Sequence, residues 1–132
     1  MSIKLNQDWD VPTGLSREAR KLAFDIRKVA FAFHWDAGGQ KVFWSPQQWQ
    51  ERGEPFGKGA ELVILHESGD HARYFSLDHA YEGSHAIIDY ERDRRQPIYD
   101  NYEFMIRFLK KRNFWSEAMY RWSSAIYKNE NS

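Results

Sequence analysis

The chain predicts an α+β fold, with a small, mainly antiparallel sheet of about four strands packed against two principal helices. Apolar residues recur at helical spacing from Ser16 to Phe33 and again from Ile98 to Leu109, which supplies the helices. Glu61 to His66 is apolar and β-rich, and after the turn pair Ser68-Gly69 the stretch His71 to Leu77 alternates, which predicts an antiparallel hairpin. The last segment, Tyr120 to Tyr127, is aromatic and hydroxyl-rich and lacks the long straight side chains of an exposed helix, so it is read as a strand. At 132 residues, 42% hydrophobic and 17% aromatic, the chain is long and apolar enough for one domain over 1–132, with 1–14 as an N-terminal arm.

Each element has a local reason. Ile3, Leu5 and Trp9 give the arm apolar anchors before Pro12 and Gly14. Ser16 is a hydroxyl cap, with Arg17 and Glu18 entering the first turn of the first helix. Ala19, Leu22, Ala23, Ile26, Val29, Ala30 and Phe33 form its apolar stripe, and the helix is expected to run to about Trp35 before a glycine stop. Lys41 to Trp44 reads as a short strand. Ser45-Pro46 then opens a helix of one or two turns carrying Trp49, because the hydroxyl caps it and proline occupies a first-turn position that needs no donor.

Gly53 to Gly59 is a loop. Ser84 to Arg95 fits both helix and strand, and Pro97 limits it. Ile98, Tyr102, Met105, Ile106 and Leu109 form the second long helical stripe, with acids at its start and Lys110, Lys111 and Arg112 at its end, matching the helix dipole. Phe114 to Tyr127 also admits a helical face through Trp115, Ala118, Met119, Trp122 and Ile126; the strand is preferred.

Composition excludes several classes. Without cysteine there is no disulfide, thiolate metal site or cysteine nucleophile. The longest apolar runs are far too short to span a bilayer, and Met1 to Asp10 lacks the basic start and apolar centre of a signal peptide, so a cytoplasmic protein with no membrane association is expected. Formal net charge is zero, so general attraction to nucleic acid is not built in, although acids dominate Glu61 to Asp93 and bases dominate from Arg94 onward. Chance scatter on a solvated surface accounts for that unevenness.

The hairpin would set His66 opposite His71, close enough to share a metal with Glu67, Asp70 or Asp78 nearby. Their spacing is not that of the helical zinc-protease motif, and cross-strand neighbours at a solvated tip explain them as well, so no metal or other cofactor is assigned. His79 or His85 could serve as a general base for a phosphodiester hydrolase, oriented by Asp78 or Glu82 and assisted by Arg73 or Arg92. Asp89, Glu91 and Asp93 could share a strand face, but interspersed arginines make them a solvated ionic surface. No Walker loop, dinucleotide fingerprint, EF-hand or nucleophile elbow is present.

The first long helix carries a second organised face. Arg17, Lys21 and Lys28, flanked by Arg20 and Arg27, share it with Phe24 and Phe31. A helix that hides one face should not need large aromatics on the other. Either a second layer of the same molecule covers those rings or they await a partner, and arginine with aromatics is what protein interfaces favour at their hot spots. The sequence therefore points to a non-enzymatic interaction module with a protein partner. Nucleic acid on the same face, self-association through the same aromatics, and a histidine- or metal-dependent hydrolase are the alternatives.

Overall fold

The computed structural model of the chain describes residues 8–54, 57, 59–75 and 101–129. In chain order these form α1 (Arg17–Ala32), β1 (Phe43–Trp44), α2 (Pro46–Glu51), β2 (Leu62–Leu65), α3 (Ala72–Phe75), α4 (Asn101–Lys110), β3 (Phe114–Tyr120) and β4 (Ser123–Lys128). The strands make one four-stranded antiparallel sheet in the order β1-β2-β4-β3. The fold is α+β, with α1 and α4 as its two long helices.

Ser16 starts α1 as expected. Its hydroxyl accepts from the Ala19 amide at 3.1 Å and donates to the Glu61 carboxylate at 2.6 Å, tying the helix start to the entry of β2. The helix ends earlier than the sequence suggests, and without glycine. Phe33 is the C-cap, and His34 takes the left-handed conformation at φ 55°. The His34 amide donates to the Phe31 carbonyl and the Trp35 amide to the Ala30 carbonyl, at 3.3 and 2.8 Å. That pair is a Schellman closure, and it turns Trp35 back into the core.

Ser45 and Gln48 form a reciprocal capping box with Pro46 in the first turn, so the short helix α2 follows from its own sequence. The loop after it is also as expected: Gly53, Gly57 and Gly59 all have positive φ.

The predicted hairpin between 62–66 and 71–77 does not form. Both edges of β2 are taken, by β1 and by β4, and Ala72–Phe75 is a turn of helix whose adjacent Tyr74 and Phe75 are both buried. Gly69 serves a close backbone crossing instead of a two-residue turn: at φ +96°, a Cβ there would meet the Asp36 carbonyl oxygen at 2.7 Å. Reciprocal bonds of 2.8 Å, Asp36 amide to Asp70 carboxylate and Asp70 amide to Asp36 carbonyl, hold the crossing. The fourth strand comes from the last segment, which folds as two strands, β3 and β4, turning at Arg121-Trp122 with a register irregularity between Ala118 and Tyr120. Leu77, His79, His85, the 84–95 stretch and Ile98 lie outside the described residues.

Side chains alternate across the sheet, so it has two unlike faces. On one, Leu62, Ile64, Ile126 and Phe43 pack with Leu22 and Ile26 of α1 and Phe104, Phe108 and Leu109 of α4. Trp9 of the arm is fully buried in this core, edge-on to Phe43 and to His71 at centroid distances of 5.9 and 5.1 Å. On the other face Val63 and Leu65 are covered by Trp49 of α2, with Trp44, Met119 and Trp122 around it. Of the described residues, no helix is long and apolar enough to cross a membrane.

Candidate functional site

The apolar stripe of α1 is buried from Ala19 to Ala30, and the opposite stripe faces outward. Arg17, Arg20, Lys21, Phe24, Lys28 and Phe31 are exposed, and Arg27 is half-buried. Phe24 and Phe31 each keep 38% of their surface, so the fold of the described residues leaves a large part of each ring in solvent. Each ring has its own cation. The Arg20 guanidinium lies 5.4 Å from the Phe24 centroid and the Arg27 guanidinium 5.1 Å from the Phe31 centroid. The two pairs repeat at a seven-residue interval, two helical turns and about 10 Å along the axis.

The stripe is not uniformly free. Asp25, on its flank, is 3.6 Å from Lys21 and 2.9 Å from the Nε of Arg112. Arg112 also donates to the Phe108 carbonyl at 3.1 Å and stacks on the Phe108 ring at 3.8 Å, so it clamps the end of α4 to the middle of α1. The sequence read Arg112 only as a helix-terminal base, because its partner is 87 residues away.

His66 and His71 are brought near each other, but inside the protein. They are 2% and 0% exposed, and Burial takes both imidazoles down to about 4; at His66 the neighbouring His71 adds to the effect. His66 Nε2 shares a 2.9 Å hydrogen bond with Ser124, and His71 Nε2 donates to the Leu65 carbonyl at 2.8 Å. Their Nδ1 atoms have no hydrogen-bond partner among the described residues. No group of three or more metal-binding side chains occurs among those residues either. Neutral, buried and hydrogen-bonded, His66 to a hydroxyl and His71 to a carbonyl, these imidazoles are core groups and not a solvated turn.

The tryptophan face holds a feature that sequence reading missed. The Arg52 guanidinium lies over three indoles, 5.0 Å from the Trp44 centroid, 4.6 Å from Trp49 and 5.9 Å from Trp122. Tyr120 stacks on Trp122 at 4.7 Å, and Glu54 is 3.3 Å from Arg52 Nε. Trp44 precedes α2 and Trp49 lies within it, so the two could have been paired from their spacing. Trp122 arrives from the β3–β4 turn, a long-range event with no local signal.

A second exposed apolar patch lies between α4 and β3, where Ile106 and Trp115 are 45% and 46% exposed beside a cleft of about 260 Å³. Compared with known proteins, the chain matches no family model, no curated sequence and no solved structure.

Proposed function

We propose that this chain is a small, non-enzymatic interaction module that binds a protein partner through the outward stripe of α1. The observation that carries the reading is the pair of ring–guanidinium units, Arg20 with Phe24 and Arg27 with Phe31, on one exposed helix face. Half-exposed phenylalanines contribute little to folding, yet a partner that covers them gains apolar area and two cations already oriented on the rings. Arg17, Lys21 and Lys28 extend the positive field along the same stripe, which suits a partner surface that is acidic as well as apolar. Zero net charge supports a protein over a polyanion.

Affinity capture from the native extract, with the Phe24→Ala, Phe31→Ala double variant as control, tests the assignment. Wild type is expected to retain a partner that the double variant loses. A partner retained equally by both would reject the face.

Nucleic acid on the same stripe is the second reading, supported by its five cations, Arg17, Arg20, Lys21, Arg27 and Lys28. It predicts affinity that falls steeply with salt, whereas the protein reading predicts modest salt dependence and loss on Phe24→Ala. Self-association through the same rings would appear as a dimer in size-exclusion chromatography that the double variant abolishes. The hydrolase alternative draws no support from His66 and His71, whose ring nitrogens are enclosed.

A further inference from the structure

The tryptophan face has the makings of a ligand pocket that is separate from the α1 stripe. Trp44, Trp49 and Trp122 present their rings to one point, and a cation already stands there: the Arg52 guanidinium, within 6 Å of all three centroids. A ring quadrupole attracts any organic cation over its face, and several rings around one charge favour groups too weakly hydrated to prefer water. Glu54 adds a carboxylate beside the guanidinium and accepts from Tyr120, whose hydroxyl is pushed up by desolvation and by that charge. Three indoles and a carboxylate are the groups that an alkylated ammonium with a remaining N–H, or a guanidinium, would use.

Two observations argue that Arg52 is a displaceable occupant. Trp44 carries two cations at once, since Lys41 Nζ is 5.1 Å from the same ring, so this indole accepts a cation other than Arg52. Arg52 sits at the C-cap of α2 with 36% of its side chain exposed, next to Gly53 at φ +91° in open space, so its side chain has somewhere to go.

We propose that Trp44, Trp49 and Trp122 form a recognition pocket for an organic cation, an alkylated ammonium or guanidinium group, and that Arg52 fills it in cis until such a cation displaces it. The pocket lies on the sheet face opposite α1, so it operates independently of partner binding by the stripe.

Indole N–H resonances of the full-length protein, titrated with tetramethylammonium chloride at constant ionic strength, test this directly. The neutral isostere tert-butanol is the control. Arg52→Gln keeps much of the side-chain stem and removes the charge, so its Trp44, Trp49 and Trp122 signals should shift together, with affinity about tenfold above wild type. Arg52→Lys should behave as wild type, and Trp122→Phe in the Arg52→Gln background should weaken binding by a similar factor. A peptide bearing one trimethyllysine separates the sources: tighter binding than tetramethylammonium identifies a partner side chain, equal binding a free small cation. Equal affinities for wild type and Arg52→Gln, or an equal response to tert-butanol, would overturn the proposal.

Discussion

Cations lie on aromatic rings in two regions of this protein, and the regions differ in what surrounds the rings. Around Arg52, the rings come from two distant parts of the chain, 44–49 and the β3–β4 turn, and Trp49 is fully enclosed. On α1, each phenylalanine meets an arginine four residues earlier on the same helix and keeps 38% of its surface. The pairwise attraction is of one kind in both places. Enclosure separates them: Trp49 covers Val63 and Leu65 and holds the second layer onto the sheet, Trp44 and Trp122 stay half-buried around it, and the α1 phenylalanines face outward.

The largest expected effect falls on the enclosed side. Trp49→Ala removes the indole that covers Val63 and Leu65, and should cost about 3–5 kcal/mol in urea denaturation. A loss below about 1 kcal/mol would mean that the tryptophan layer is as dispensable as the stripe, and the contrast would fail.

Acid provides the next largest effect, and it probes the interior on the helix-covered face. His66 and His71 sit at about 4 when folded, below their ordinary 6.5, so the unfolded chain takes up protons first. Their neutral burial is fully favourable above about pH 6.5, and stability falls as pH drops from there toward 4, by about 2 kcal/mol per histidine at about pH 5. Denaturation midpoints between pH 7 and 5 should show the decline, and His66→Gln should flatten it by one proton's worth of slope. An unchanged slope would contradict neutral burial of His66.

Arg52→Gln should cost about 1 kcal/mol, because three ring faces lose their cation while the packing of the indoles stays. The outward stripe should respond least in stability and most in binding. Phe24→Ala and Phe31→Ala each lose a ring–guanidinium contact, but alanine is the better helix former, so the net change is under about 1 kcal/mol. Circular dichroism melts would read this, and a drop comparable with Trp49→Ala would show that the rings belong to the core. Smallest of all, His34→Gly should stabilise by about 0.5 kcal/mol, since glycine takes the left-handed C′ position without strain and His34 is exposed. It should leave partner binding by α1 unchanged.

Much of the helical architecture was legible because its signals are local. The hydroxyl caps at Ser16 and Ser45, the proline after Ser45, and the apolar spacing of Leu22, Ile26 and Val29 all act within a few residues through backbone geometry. The outward position of Phe24 and Phe31 was legible for the same reason, since angle around a helix axis follows from position in the chain. The 71–77 stretch misled because alternation over a few residues also fits one turn of helix with neighbouring side chains turned inward, as Tyr74 and Phe75 are.

Periodicity and capping thus gave α1 its two faces and α2 its start, without help from the rest of the chain. The neighbours of β2, the enclosure of His66 and His71, the Arg112–Asp25 clamp and the meeting of Trp122 with Trp44, Trp49 and Arg52 came from long-range packing. The reason is physical. A turn of helix satisfies its own hydrogen bonds nearby, whereas a strand must find its partners elsewhere, and the apolar pattern of one segment says which face is buried but not which distant segment will cover it.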